Sequence, residues 1–91
     1  MEYEQRDDII AHLVGENIRK ARERRGWSQY DLAHRARVGH GTVDNVEKGT
    51  GGLLRTVGRF GVLLSPDKIL PTEDDVIEEA MKWPWNPAGN R

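Results

Sequence analysis

Between Ser28 and Glu47 the apolar residues fall at helical spacing on both sides of a break of only a few residues, and this pattern constrains the chain more than any other. Leu32, Ala33 and Ala36 form one inward stripe, and Val43 and Val46 form a second beside Val38, with the break at Arg37 and Val38. Ser28 can open the first of these helices, because its side-chain oxygen accepts from amides that the first turn leaves unpaired. Asp31, three residues on, completes a capping pattern. His40, Gly41, Asp44 and Asn45 fall on the side of the second helix opposite its valines. One side of the pair is therefore apolar and the other can hydrogen-bond to a partner.

A chain of 91 residues makes one domain. At that length folding hides only about 60 to 65 percent of the unfolded surface, so a subunit interface would add needed stability. The absence of cysteine removes disulfides, thiolate zinc sites and cysteine nucleophiles together, and fits a reducing cytoplasm. The first residues are acidic, and no apolar run approaches the roughly 20 residues that span a bilayer, so a soluble cytoplasmic chain without membrane contact is expected. His12, His34 and His40 lack metal-ligand spacing, and no nucleophile stands beside a recognisable base and orienting acid. Neither an enzyme nor a metal or cofactor site is expected.

The net charge of −1 hides a division along the chain. Residues 1–16 carry one positive and five negative side chains, residues 17–59 ten and four, and residues 60–91 three and six. The positive charge thus coincides with the paired helices, as neutralising phosphates would require. The acidic ends are expected to serve elsewhere, at a subunit contact.

Around this centre, Ile9, Ile10, Leu13, Val14, Ile18 and Ala21 predict a helix over 7–25, with Asp7 and Asp8 at its positive end, Arg24 and Arg25 at its negative end, and Gly26 as its stop. Ile9 and Ile10 either cover the core or meet a second subunit. The loop of residues 48–52 is glycine-rich but is no nucleotide loop, since the Gly-Lys-Ser/Thr ending is absent. Leu53, Leu54, Val57, Phe60, Leu63 and Leu64 suggest a further helix rather than a strand, although Gly58 and Gly61 each cost about 1 kcal/mol relative to alanine. Ser65-Pro66-Asp67 reads as another helix start, Leu70-Pro71 as a break, and Thr72 with Asp75 as the cap of a last short helix through about Met81. Prolines 84 and 87 place Trp83 and Trp85 on an extended arm, covering either the domain's own core or a partner.

The stations Gly26-Trp27, Ser28-Gln29, Leu32-Ala33, Val38 and Glu47-Lys48-Gly49 stand in register over about two dozen residues. In that order they resemble the phage-repressor-like helix-turn-helix family, the Cro-type and xenobiotic-response-type regulators, over about residues 14–64. The resemblance implies an all-α fold of about five helices of the lambda-repressor-like DNA-binding type. The DNA-binding domain would span residues 1–70, with its helix-turn-helix at 28–47, followed by an acidic, tryptophan-bearing extension at 71–91. It also implies a sequence-specific regulator of double-stranded DNA, most simply a repressor acting as a homodimer on a pseudo-palindrome.

By the same resemblance His40, Gly41, Asp44 and Asn45 are the base readers. Asn45 can offer a donor and an acceptor to adenine, whereas Asp44 only accepts, which favours a cytosine amino group and repels phosphate. His40 and Asp44 could instead cap the helix or face solvent. Gln29, Lys48, Thr50 and the Gly51 amide are implied as phosphate contacts, with Arg37 and Arg55 as additions. Arg37 departs from the family, where glycine is common in the turn; a left-handed arginine costs on the order of 1 kcal/mol. Arg22 and Glu47 match the family's internal ion pair. Ile9, Ile10, Leu63, Leu64, Trp83 and Trp85 are the candidates for a dimer or partner contact. The competing reading is an adaptor such as an antitoxin, whose tail holds a small toxin-like protein.

Overall fold

The computed structural model describes residues 3–50 and 54–82, with side chains from Asp8 and from Arg55 onward in the two stretches. Six helical segments follow one another: α1 (Tyr3–Arg24), α2 (Gln29–Ala36), α3 (His40–Glu47), α4 (Leu54–Leu64), α5 (Pro66–Ile69) and α6 (Glu73–Lys82). No strand occurs among the described residues. The expected all-helical bundle is therefore correct: five helices of eight residues or more, and α5 as a single turn.

Helix α1 begins at Tyr3, four residues before the expected start at Asp7. No glycine, proline or capping residue stands between Tyr3 and Asp7 to stop it. Asp7 and Asp8 consequently lie inside the helix and not in its first turn, which removes the dipole role expected of them. At its other end Gly26 takes a φ of 73°, with its amide donating to the Glu23 carbonyl and the Trp27 amide to that of Arg22. This paired closure needs a left-handed residue and satisfies carbonyls that the helix leaves open. The same closure recurs at the end of α2, through Arg37 with the Val38 amide on Ala33, and at the end of α3, through Gly49 with the Thr50 amide on Asn45. Arg37 holds φ 59° and ψ 47° without being glycine. The turn between α2 and α3 thus carries a non-glycine residue in the left-handed region, at an energetic cost.

Ser28 and Asp31 form the reciprocal cap expected at α2, with the Asp31 amide donating to Ser28 Oγ at 3.0 Å and the Ser28 amide to Asp31 Oδ2 at 2.8 Å. Thr72 and Asp75 repeat it at α6. Ser65 precedes α5 at φ 78° but makes no side-chain cap; Pro66 supplies the start instead.

The core joins Ile18 and Ala21 of α1, Leu32, Ala33 and Ala36 of α2, Val43 and Val46 of α3, Phe60 and Leu64 of α4 and Ile69 of α5. Val14, Trp27, Val38, Val57 and Leu63 close its edges. Ile9 and Leu64 are wholly buried within the chain. Both were expected as candidates for a subunit contact, and both are corrected: neither can reach a partner while the fold is intact. Ile10 remains exposed, and Leu63 is half-buried against the core. Trp83 and Trp85 lie outside the described residues.

Helices α1 and α3 approach at Gly15, where a methyl group would lie 2.7 Å from the Glu47 carbonyl oxygen and closer still to that of Val46. Gly49 sits over His12 with a similar lack of room, its missing methyl 3.1 Å from the His12 Cα. The segment from α3 to Gly49 is therefore seated directly on α1 at two glycines. Helix α6 packs along α1 without burying any residue fully, and His12 Nε2 stands 3.8 Å from a Glu79 carboxylate oxygen.

Candidate nucleic-acid interface

Helix α3 is held from beneath by Val43 and Val46, both in the core, so its opposite side turns outward. Gly41 and Asn45 are exposed there, with Lys48 and Thr50 just past the helix end; His40, Thr42 and Asp44 are half-buried. Gly39 is the N-cap, in extended conformation and without a side-chain hydrogen bond. Neither His40 nor Asp44 caps the helix. His40 instead stacks on Tyr30 of α2, ring centroids 4.1 Å apart and planes 14° from parallel. Tyr30, 68% exposed, was not singled out in the sequence; its position one residue after Gln29 on the outer side of α2 was the available signal. The stack fixes one wall of the outward surface at the start of α3.

A polar chain runs from α1 to this surface. Arg22 grips Glu47 in a two-pronged pair, Nε to Oε2 at 2.7 Å and Nη2 to Oε1 at 3.0 Å, while its Nη1 donates to the Trp27 carbonyl at 2.8 Å. The two side chains are 10% and 4% exposed. The expected internal ion pair is thus present, and Glu47 raises the Arg22 pKa against the opposing pull of burial. Gln29 Nε2 donates to Glu47 Oε1 at 2.9 Å and to Asp44 Oδ1 at 3.4 Å. Asp44 in turn holds Lys48 Nζ at 2.8 Å. That hydrogen bond, helped by Gln29 and the positive charge of Lys48, keeps the Asp44 carboxyl below the usual aspartate range although partial desolvation opposes it.

The expected phosphate contacts divide in this arrangement. Gln29 and Lys48 are brought together at the junction of α2 with the end of α3, each engaged with an internal carboxylate. The Thr50 hydroxyl turns back on the Asn45 carbonyl at 3.2 Å. Arg55 is exposed near the start of α4. Gly51 lies outside the described residues. Arg37 is placed apart from these, lining a groove with Arg35, Arg59, Val62 and Leu63. Arg35 lies 4.3 Å from the Trp27 ring centre and Arg25 5.6 Å from it, so two guanidinium groups flank one indole at the foot of α2.

Gly15 was the other omission of the sequence reading. Its signal was positional: a small residue on the apolar stripe of α1, one step from Val14.

Two short helices, the second seated by its valines and outwardly polar, form a helix-turn-helix within a positively charged segment. Residues 18–53 match the family described as Helix-turn-helix. No curated protein and no solved structure matches the chain. This segment is similar to the Cro/lambda-repressor-like helix-turn-helix family, a family of DNA-binding regulators. No described helix is long and apolar enough to cross a membrane.

Proposed function

We propose that the chain is a repressor that binds a pseudo-palindromic operator as a homodimer, with residues 1–70 as the DNA-binding domain and 71–91 as an extension serving assembly. The observation that carries this reading is the outward side of α3, where Asn45 and Gly41 stand exposed over a buried Val43 and Val46. Base edges in the major groove require short or planar polar side chains at such positions. Asn45 reads adenine, Asp44 accepts from a cytosine amino group, Gly41 lets the helix approach closely, and His40 approaches the groove from its stack on Tyr30. Lys48, Thr50, Gly51 and Arg55 meet phosphates on the flank beyond α3. Gln29 reaches phosphate by exchanging one of its carboxylate partners. One such helix reads only a few base pairs, so two copies about 34 Å apart along the duplex supply the specificity. Occupying the operator is itself enough to block polymerase.

The test begins by selecting bound sequences from a random duplex pool. On the selected site Asn45→Ala should lose about 1 to 3 kcal/mol and relax selectivity at one base pair. Lys48→Ala should weaken all duplexes alike. An Asn45→Ala protein as tight and as selective as the parent would overturn the docking.

A further inference from the structure

The groove that Arg37 lines gathers three arginines over an apolar floor. Arg35, Arg37 and Arg59 converge on a floor of Ala36, Val62 and Leu63 around a volume of about 340 Å³. Val62 is 82% exposed. Arg59 gives one hydrogen bond to the Ala36 carbonyl at 3.4 Å and Arg35 lies over Trp27, but neither arginine, nor Arg37, has a carboxylate partner among the described residues. Three positive groups beside exposed aliphatic surface call for an occupant that is acidic and apolar at once.

The chain itself carries that occupant. Helix α6 turns Val76, Glu79 and Ala80 inward, all half-buried, and leaves Ile77 and Met81 outward at 52% and 80% exposure. Asp74 and Glu78 flank this apolar pair, exposed and without an ion pair among the described residues. Since α6 is held on α1 by its other side and leaves α5 after three residues, its outer side is turned away from its own bundle. We propose that the outer side of α6 docks into the Arg35, Arg37 and Arg59 groove of a second copy. Ile77 and Met81 then cover Val62 and Leu63, while Asp74 and Glu78 meet the arginines. Every copy owns both halves, so a two-fold arrangement makes the contact twice and closes the pair. The inference rests on the dimeric reading above and not on how α3 docks to DNA, because the groove residues are separate from the base readers.

Charge exchange between copies tests it. In sedimentation equilibrium of the full chain, Glu78→Arg alone and Arg59→Glu alone should each weaken self-association about tenfold or more, because like charges are then opposed at both contacts. Mixing the two variants should restore association to within about threefold of the parent, since each mutated groove then faces the complementary helix. Far-ultraviolet circular dichroism checks that each variant is folded. If Arg59→Glu loses structure with its Ala36 contact, Arg35→Glu paired with Glu78→Arg carries the same test. Folded variants that associate like the parent, or weakened ones that do not recover on mixing, overturn the groove while leaving a dimer in place. A parent chain that is monomeric at micromolar concentrations overturns the dimer and the groove together. Half-site duplex binding, measured separately, reports on the DNA reading alone.

Discussion

At the scale of single residues, backbone conformation and contact space set the sharpest expectations. Arg37 holds the left-handed position that glycine holds at the two neighbouring helix ends. Arg37→Gly relieves that strain but loosens the unfolded chain, so a net gain of about 0.5 to 1 kcal/mol is expected. A rise in the urea midpoint at unchanged slope checks it. Gly15→Ala should do the reverse. Its methyl meets backbone carbonyls of α3, which cannot swing aside as a side-chain tip can, and a loss of about 1 to 3 kcal/mol follows. The loss should come with reduced affinity for every duplex, because α3 must move to make room.

At the scale of elements, the Arg22 and Glu47 pair ties α1 to the end of α3 across a nearly dry contact. Glu47→Ala leaves the guanidinium with the Trp27 carbonyl and only a long 4.0 Å contact to the exposed Glu23, and should cost about 3 to 5 kcal/mol in thermal or urea unfolding. Replacing both partners with apolar residues should recover part of that loss. Where each helix would lie was legible because its punctuation is local: the Ser28 and Asp31 box, the Thr72 and Asp75 box, Gly26, and Pro66 are all read within four residues. The start of α1 was not, since residues 3–6 carry no punctuation and the eye stops at the first acidic pair. The ion pair was legible only through the family resemblance, because 25 residues separate its members. The assignment of Ile9 and Leu64 to a subunit contact failed for a related reason. Apolar periodicity says that a side chain seeks cover, whereas which chain covers it depends on the packing of distant helices. Tyr30 on His40 and Gly15 under Val46 are likewise products of how helices cross.

At the scale of the whole molecule, three carboxylates lean the same way. Glu16 is held below its ordinary pKa chiefly by its hydrogen bonds from Arg19, Asp31 by the Ser28 backbone amide, and Asp44 by Lys48. Stability from a lowered pKa is complete above the ordinary values, 4.5 for glutamate and 3.8 for aspartate, and is lost as pH falls through the lower folded values. The urea midpoint should therefore drop below about pH 4.5, and Asp31→Asn should make that drop shallower. The Lys48 and Asp44 contact also changes what the solvent ions do when DNA arrives. A free lysine that meets a phosphate liberates a condensed cation from the duplex, and that release drives binding. Lys48 already has an anion in residence, so on the docking proposed above the phosphate must evict Asp44, and the stranded carboxylate then draws a cation back into the complex. Part of the entropic gain is handed back. Asp44→Asn removes the resident anion. The slope of log affinity against log salt should steepen by up to about one on unrelated duplexes, with tighter binding at low salt. On that docking the wild-type protein gives up some of its grip on arbitrary DNA, which leaves more of it free to search for the operator proposed above.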